Sequence, residues 1–201
     1  MIHPPKAMGK IFERELKGIL SANEDVLSRV TKTCDTQERV GYLRIRENPF
    51  MVIRAAGSLG VDLVAIRDGM SFPIEVKSST ADVMRFSRSE KLMIQAEDMI
   101  SDCQRVNLVP LYAYRFKGHR GDAWRMFTLD MGDLDMNLYS GIPKLVYERL
   151  PKVKFSKTGN FIMRWKDGWP LSKFIDYTTA LAGKRCQTVR SNFEAESEKR
   201  T

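Results

Sequence analysis

Apolar residues recur at helical spacing over residues 7–20, where Met8, Phe12, Leu16, Ile19 and Leu20 fall on one stripe. Glu13 sits at the border of that stripe, between core and solvent. Residues 21–48 are charged and polar, with patchy apolar positions at Val26, Leu27 and Val30; they extend the helix and then form a loop or a small subdomain. Phe50 to Arg54 predicts a strand running into Ala55-Ala56-Gly57-Ser58, Val61 to Arg67 a second, and Phe72 to Lys77 a third. Asp68-Gly69, between the second and third, is a hairpin-turn signal. Ser87-Arg88-Ser89-Glu90 resembles a capping box and opens a helix whose buried side carries Leu92, Met93, Ala96, Met99, Ile100 and Cys103. Leu108 to Phe116, with Pro110 near its start, is an apolar strand; Gly118-His119-Arg120-Gly121 turns the chain into another, Ala123 to Leu129.

From about residue 132 the character changes. Lys152 to Phe155 and Asn160 to Trp165 predict a second hairpin around Lys157-Thr158-Gly159, and a short helix follows Pro170. Residues 184–201 are polar and charged and are expected to be disordered. The order helix, three strands, helix, two strands predicts an α/β fold with a central mixed five-stranded β-sheet flanked by helices. The expected division is a core over residues 1–131 and a C-terminal extension over 132–201.

Composition narrows the function. At 201 residues the chain holds one domain, or one domain with an appendage. No apolar run approaches the roughly 20 residues of a membrane helix, and Met1 to Lys6 lacks a secretory h-region, so the expected compartment is the cytoplasm, nucleoid-associated or in a virus-infected cell. Cys34, Cys103 and Cys186 are scattered, which argues against a disulfide framework or a structural zinc site. A net charge of +8 favours polyanionic partners, nucleic acid ahead of acidic membrane surfaces. The only histidines are His3 and His119, both in loop or terminal positions, so any chemistry rests on carboxylates.

The segment from Val61 to Lys77 concentrates those carboxylates. A two-residue Asp68-Gly69 turn pairs Arg67 with Met70 and brings Asp62 opposite Glu75. Asp62, Glu75 and Lys77 then share one face, and Val61, Leu63, Ile74 and Val76 the other. A three-residue loop would instead send Asp62 to the opposite face. Two carboxylates facing each other repel unless a cation bridges them. Mg²⁺ suits the task, since it takes one or two carboxylates plus waters and phosphate oxygens, and the Val76 carbonyl can add a ligand. Lys77 can hold the attacking water or the phosphate. A Glu-x-Lys triplet alone carries little, because about one is expected by chance at this length and composition. Another stands at Glu15-Leu16-Lys17, where it reads as a solvated helix face.

The ordered set of motifs says more. Gly9-Lys10-Ile11-Phe12-Glu13-Arg14-Glu15-Leu16, Val52-Ile53-Arg54-Ala55-Ala56-Gly57-Ser58, Val61-Asp62-Leu63-Val64-Ala65 and Ile74-Glu75-Val76-Lys77 together resemble the archaeal Holliday junction resolvases of the PD-(D/E)xK nuclease superfamily. The resemblance covers most of residues 6–130 and implies a restriction-endonuclease-like nuclease core. It implies that Asp62, Glu75 and the Val76 carbonyl ligate Mg²⁺ or Mn²⁺, with Glu13 as a further metal or water ligand. Lys77 would be the catalytic lysine, Ser58 would position the scissile phosphate, and Lys10, Arg14 and Arg54 would contact DNA. It further implies a homodimer acting on branched DNA in recombination and repair, with Leu92, Met93, Met99 and Ile100 as candidates for the dimer surface. Residues 22–48 and 132–201 depart from the family pattern, the first as an insertion and the second as an extension. Two other readings stay open: a restriction or repair nuclease on the same fold, and a non-catalytic branched-DNA-binding module.

Overall fold

The computed structural model describes residues 7–55, 60–86, 90–132, 141–155 and 160–183, without the side chains of 7–9 and 90. Met8, Gly57, Ser58, the Ser87-Arg88-Ser89 start of the expected capping box, the turn at Lys157-Thr158-Gly159, Cys186, His3 and the tail from 184 therefore lie outside the described side chains or residues. Helix α1 spans Ala7–Leu20, matching the apolar stripe. The polar stretch behind it forms two separate helices, α2 (Glu24–Val30) and α3 (Thr36–Leu43), with short 3₁₀ turns after each. Local side chains set these starts. Asn23 accepts from the Val26 N–H at 3.1 Å. Asp35 and Glu38 form a reciprocal capping box, with Asp35 accepting the Glu38 N–H at 2.8 Å and Glu38 accepting the Asp35 N–H at 3.1 Å.

Strands β1 (Met51–Arg54), β2 (Leu63–Arg67) and β3 (Met70–Ser79) follow as an antiparallel meander. After β4 (Val83–Arg85) and helix α4 (Glu90–Val106), β5 (Leu111–Phe116) returns parallel to β3, and β6 (Trp124–Phe127) pairs antiparallel with β5. The later chain supplies helix α5 (Ile142–Arg149), β7 (Lys154–Phe155), β8 (Phe161–Arg164), β9 (Trp169–Pro170) and a helix, α6, over residues 171–183. The central sheet has the order β1-β2-β3-β5-β6-β9, so the mixed sheet holds six strands where five were expected. The sixth is too short to show a period. It reaches β6 because Gly168 lets the backbones approach: a Cβ there would sit 2.5 Å from Arg125 Cβ and Phe127 Cζ. A separate small sheet has the order β4-β8-β7.

Side-chain alternation divides the core between the two faces of the central sheet. Leu63, Ala65, Phe72, Ile74, Leu111, Ala113 and Met126 join Leu16, Ile19 and Leu20 of α1, Leu27 of α2, and Leu171, Phe174 and Ile175 of α6. On the opposite face Tyr112, Tyr114 and Phe127 pack with Ala96, Met99 and Cys103 of α4 and with Phe161 and Met163 of β8. Chain beyond residue 132 thus contributes to both cores. Among the described residues no helix is long and apolar enough to cross a membrane.

Phe174 of α6 stacks edge-on against Phe72 of β3 at 5.9 Å and Trp169 of β9 at 5.7 Å. Phe174→Ala is expected to cost about 3–5 kcal/mol. Urea unfolding followed by tryptophan fluorescence and by far-UV circular dichroism should give one coincident, shifted transition; two separated transitions would show that α6 belongs to an independent unit.

Candidate active site

The hairpin closes with two residues. Arg67 pairs with Met70 and Leu63 with Ile74, while Asp68 and Gly69 take φ of 42° and 74°. Positive φ at both central positions is the backbone that two-residue hairpins need, and Gly69 meets it without strain. This is the register that places Glu75 and Lys77 on the α4 face of the sheet.

The regular ladder ends one residue short of Asp62. The Asp62 N–H donates to the Ile74 carbonyl at 3.0 Å, and the Ala55 N–H donates to the Asp62 carbonyl at 3.0 Å. The Asp62 carboxylate then accepts the Val76 N–H at 2.8 Å, a bond that a backbone carbonyl would take in a continued ladder. Asp62 is thereby locked against β3 by its own side chain, a local departure of the kind that re-aims a residue beside a site. The alternation expected for Val61 fails for the same reason. Val61 packs toward the α4-side core, whereas Leu63 and Ile74 lie in the other.

Glu75 is only 4% exposed and stands opposite Tyr112 of β5. Its Oε1 accepts from Lys77 Nζ at 2.5 Å, while its Oε2 is buried with no hydrogen-bond partner, as is the Tyr112 hydroxyl. Burial raises the pKa of both Asp62 and Glu75. For Asp62 the Val76 N–H opposes the rise and the Glu13 charge adds to it. For Glu75 the Lys77 ammonium opposes it and Asp62 adds to it. Two desolvated carboxylates, Glu75 raised further by Asp62 and Asp62 by Glu13, one with an orphaned oxygen, form a donor set suited to a hard divalent cation. Asp62, Glu75 and the Val76 carbonyl fit that role. Among the described residues no group of three or more His, Cys, Asp or Glu side chains is gathered to hold a metal ion.

Glu13 approaches from α1 but is paired with Arg54 of β1, Nη2 to Oε2 at 2.6 Å, with 16% of its side chain exposed. Its charge acts on Asp62. Lys10 and Arg14, one turn apart on α1, are exposed cations. The second triplet, Glu15-Leu16-Lys17, is not a solvated face: Glu15 accepts from Arg115 Nε and from Trp124 Nε1, both at 2.9 Å, and its side chain is 12% exposed. Periodicity could not reveal this, because both partners lie about a hundred residues away. Two residues near the carboxylates had no sequence signal at all, Tyr112 and Gln95. The Gln95 amide donates to the Gly60 carbonyl at 3.2 Å and faces Lys77 Nζ at 3.5 Å.

A mixed sheet carrying Asp62, Glu75 and Lys77 on a tight hairpin, with an arginine–glutamate pair beside them, defines a nuclease core of the PD-(D/E)xK type. The chain belongs to the archaeal Holliday junction resolvase family, whose match spans residues 30–139. That span contains Arg54, Asp62, Glu75 and Lys77, starts inside the stretch expected as an insertion, and leaves α1 outside. Among solved structures the chain is similar to Archaeoglobus fulgidus Hjc, a Holliday junction resolvase, at 18% identity over 84% of this chain and 95% of that one, with a TM-score of 0.45. No curated protein sequence matches.

The raised carboxylate pKa values have a signed consequence. The folded protein holds the Asp62 proton more tightly than the unfolded chain does. Ionised Asp62 therefore costs stability above its folded pKa, and the cost vanishes as pH falls below the ordinary value of 3.8. Asp62→Asn keeps an acceptor for the Val76 N–H and removes the charge. In EDTA its urea midpoint should exceed the parent's at pH 7.5, and the two should converge toward pH 3.5; an Asn variant less stable than the parent at pH 7.5 would contradict the burial argument.

Proposed function

We propose that this protein is a metal-dependent DNA endonuclease that resolves four-way junctions by phosphodiester hydrolysis in recombination and repair. The observation that carries the reading is the buried Glu75, its Oε2 without a partner, set beside the locked Asp62 and the Lys77 ammonium. Asp62, Glu75 and the Val76 carbonyl would hold Mg²⁺, or Mn²⁺ in its place, with Glu13 able to join once released from Arg54. When bound, the ion supplies a water of lowered pKa and charge neutralisation at the phosphodiester.

The chain's own groups do the rest. Lys77 carries an ammonium that is 14% exposed and already desolvated, so its hydrogen bond to a developing phosphate charge is strong. Asp62 cannot swing away, because its carboxylate is tied to the Val76 N–H. Arg54, more exposed than its partner Glu13, can exchange that contact for a DNA phosphate. Lys10 and Arg14 extend the cationic surface along α1, and Ser58 is retained as a phosphate-positioning residue. Binding to backbone phosphates makes affinity fall with salt.

A homodimer suits a substrate with two symmetric strands to cut. Of the α4 residues that the resemblance nominates for its surface, Met99 is buried and Leu92, Met93 and Ile100 pack against the α4-side core. Met51 (60% exposed) and Ile53 (49%) of β1 form an exposed apolar pair, and they stand opposite Ile66 and Val64 on the same sheet face as Glu75. A second copy covering that patch would set two sites side by side. Ile53→Asp should shift the sedimenting species from dimer to monomer; a parent protein that is already monomeric at micromolar concentration would exclude the dimer.

The activity is tested on a four-way junction, a linear duplex, a nick and a flap, with and without Mg²⁺. Junction cleavage should need the metal and exceed duplex cleavage. Glu75→Ala should lower cutting by at least about 10³-fold while junction binding in EDTA or Ca²⁺ stays within about two-fold. Preference for linear duplex would sink the resolvase reading, and undiminished cutting by Glu75→Ala would move the site elsewhere.

A further inference from the structure

Gly60 takes a φ of 69°, a left-handed backbone suited to glycine, two residues ahead of Asp62. Its carbonyl accepts the Gln95 Nε2–H at 3.2 Å, and the same amide turns its Oε1 toward Lys77 Nζ at 3.5 Å. Gln95 comes from α4, one residue before the buried Ala96, so packing of that helix against Tyr112 and Tyr114 fixes where its amide sits. An ammonium has three N–H donors. Glu75 takes one of those on Lys77, Gln95 faces a second, and the third is left for substrate.

We propose that Gln95 is a positioning residue of the hydrolytic centre, one amide joining the backbone that delivers Asp62 to the ammonium of Lys77. This rests on the nuclease reading above. Without the amide, Lys77 is oriented by Glu75 alone, and the turn ahead of Asp62 loses its tether to α4. Neither loss removes a group that binds DNA. The effect falls on the rate of the chemical step, where a displacement of about 1 Å can cost up to about 10²-fold.

The test uses Gln95→Met, which matches the side chain's length without its polar atoms, and Gln95→Asn, which keeps the amide but is one methylene shorter. Both should lower kcat by about 10- to 100-fold on the best DNA substrate of the parent. KM, and junction affinity in EDTA, should stay within about two-fold. In metal-free protein, hydrogen–deuterium exchange should quicken at the amides of residues 61–63 and stay unchanged in β5 and β6. Parental kcat in Gln95→Met, full activity in Gln95→Asn, or a loss carried by KM and affinity would each overturn the proposal. Exchange that quickens without any fall in kcat would reduce Gln95 to a structural tether and overturn it as well. A parent that cuts duplex or flap DNA but no junction overturns the resolvase reading, and the kcat comparison then proceeds on that substrate.

Discussion

The Asp68-Gly69 turn joins β2 to β3 with two residues, and that count decides which side of the sheet every later residue of the hairpin faces. One more residue in the loop would shift the pairing and exchange the two faces. Glu75 would no longer stand opposite Tyr112, and Ile74 would leave the core that α1 and α6 close. The penalty for that exchange is large on both faces, since one would lose Phe72 and Ile74 of β3 and the other would gain them. Hydrophobic burial on the α1 side therefore enforces the placement of Glu75 and Lys77 on the α4 side.

Within that register the site is held under electrostatic tension. Asp62 and Glu75 are desolvated near one another, and the Lys77 ammonium and the Val76 N–H, with help from Arg54 and Gln95, offset the cost. A core built for stability alone would place apolar groups there. The fold keeps the carboxylates because surrounding packing is strong enough to hold them, through Tyr112, Phe86 and Ala96 on one side and Ile74 on the other. Glu13 and Arg54 sit just outside this dry centre, partly exposed, where their pairing can be exchanged for other partners at modest cost.

Much of this is legible in the sequence. The α1 stripe, the hairpin and its turn, and the Asp…Glu-x-Lys spacing all rest on short-range periodicity, and the structure carries each of them. What the sequence hid has a common cause. The re-aimed Asp62 depends on a side chain replacing a backbone acceptor, which no alternation pattern encodes. Glu15 found Arg115 and Trp124, and Gln95 found Gly60 and Lys77, across long stretches of chain. Strand β9 has two residues, too few to show any period, and α6 reads as a short helix until the sheet it covers is known.

The contribution of α6 to the α1-side core also bears on timing. A ribosome delivers the hairpin with Asp62 and Glu75 about a hundred residues before it delivers Leu171, Phe174 and Ile175, which close one face of the sheet behind that hairpin. During that interval the sheet behind the carboxylate pair is partly bare on the α1 side. The hairpin that carries the carboxylate pair is thus backed on its α1 side only once α6 docks.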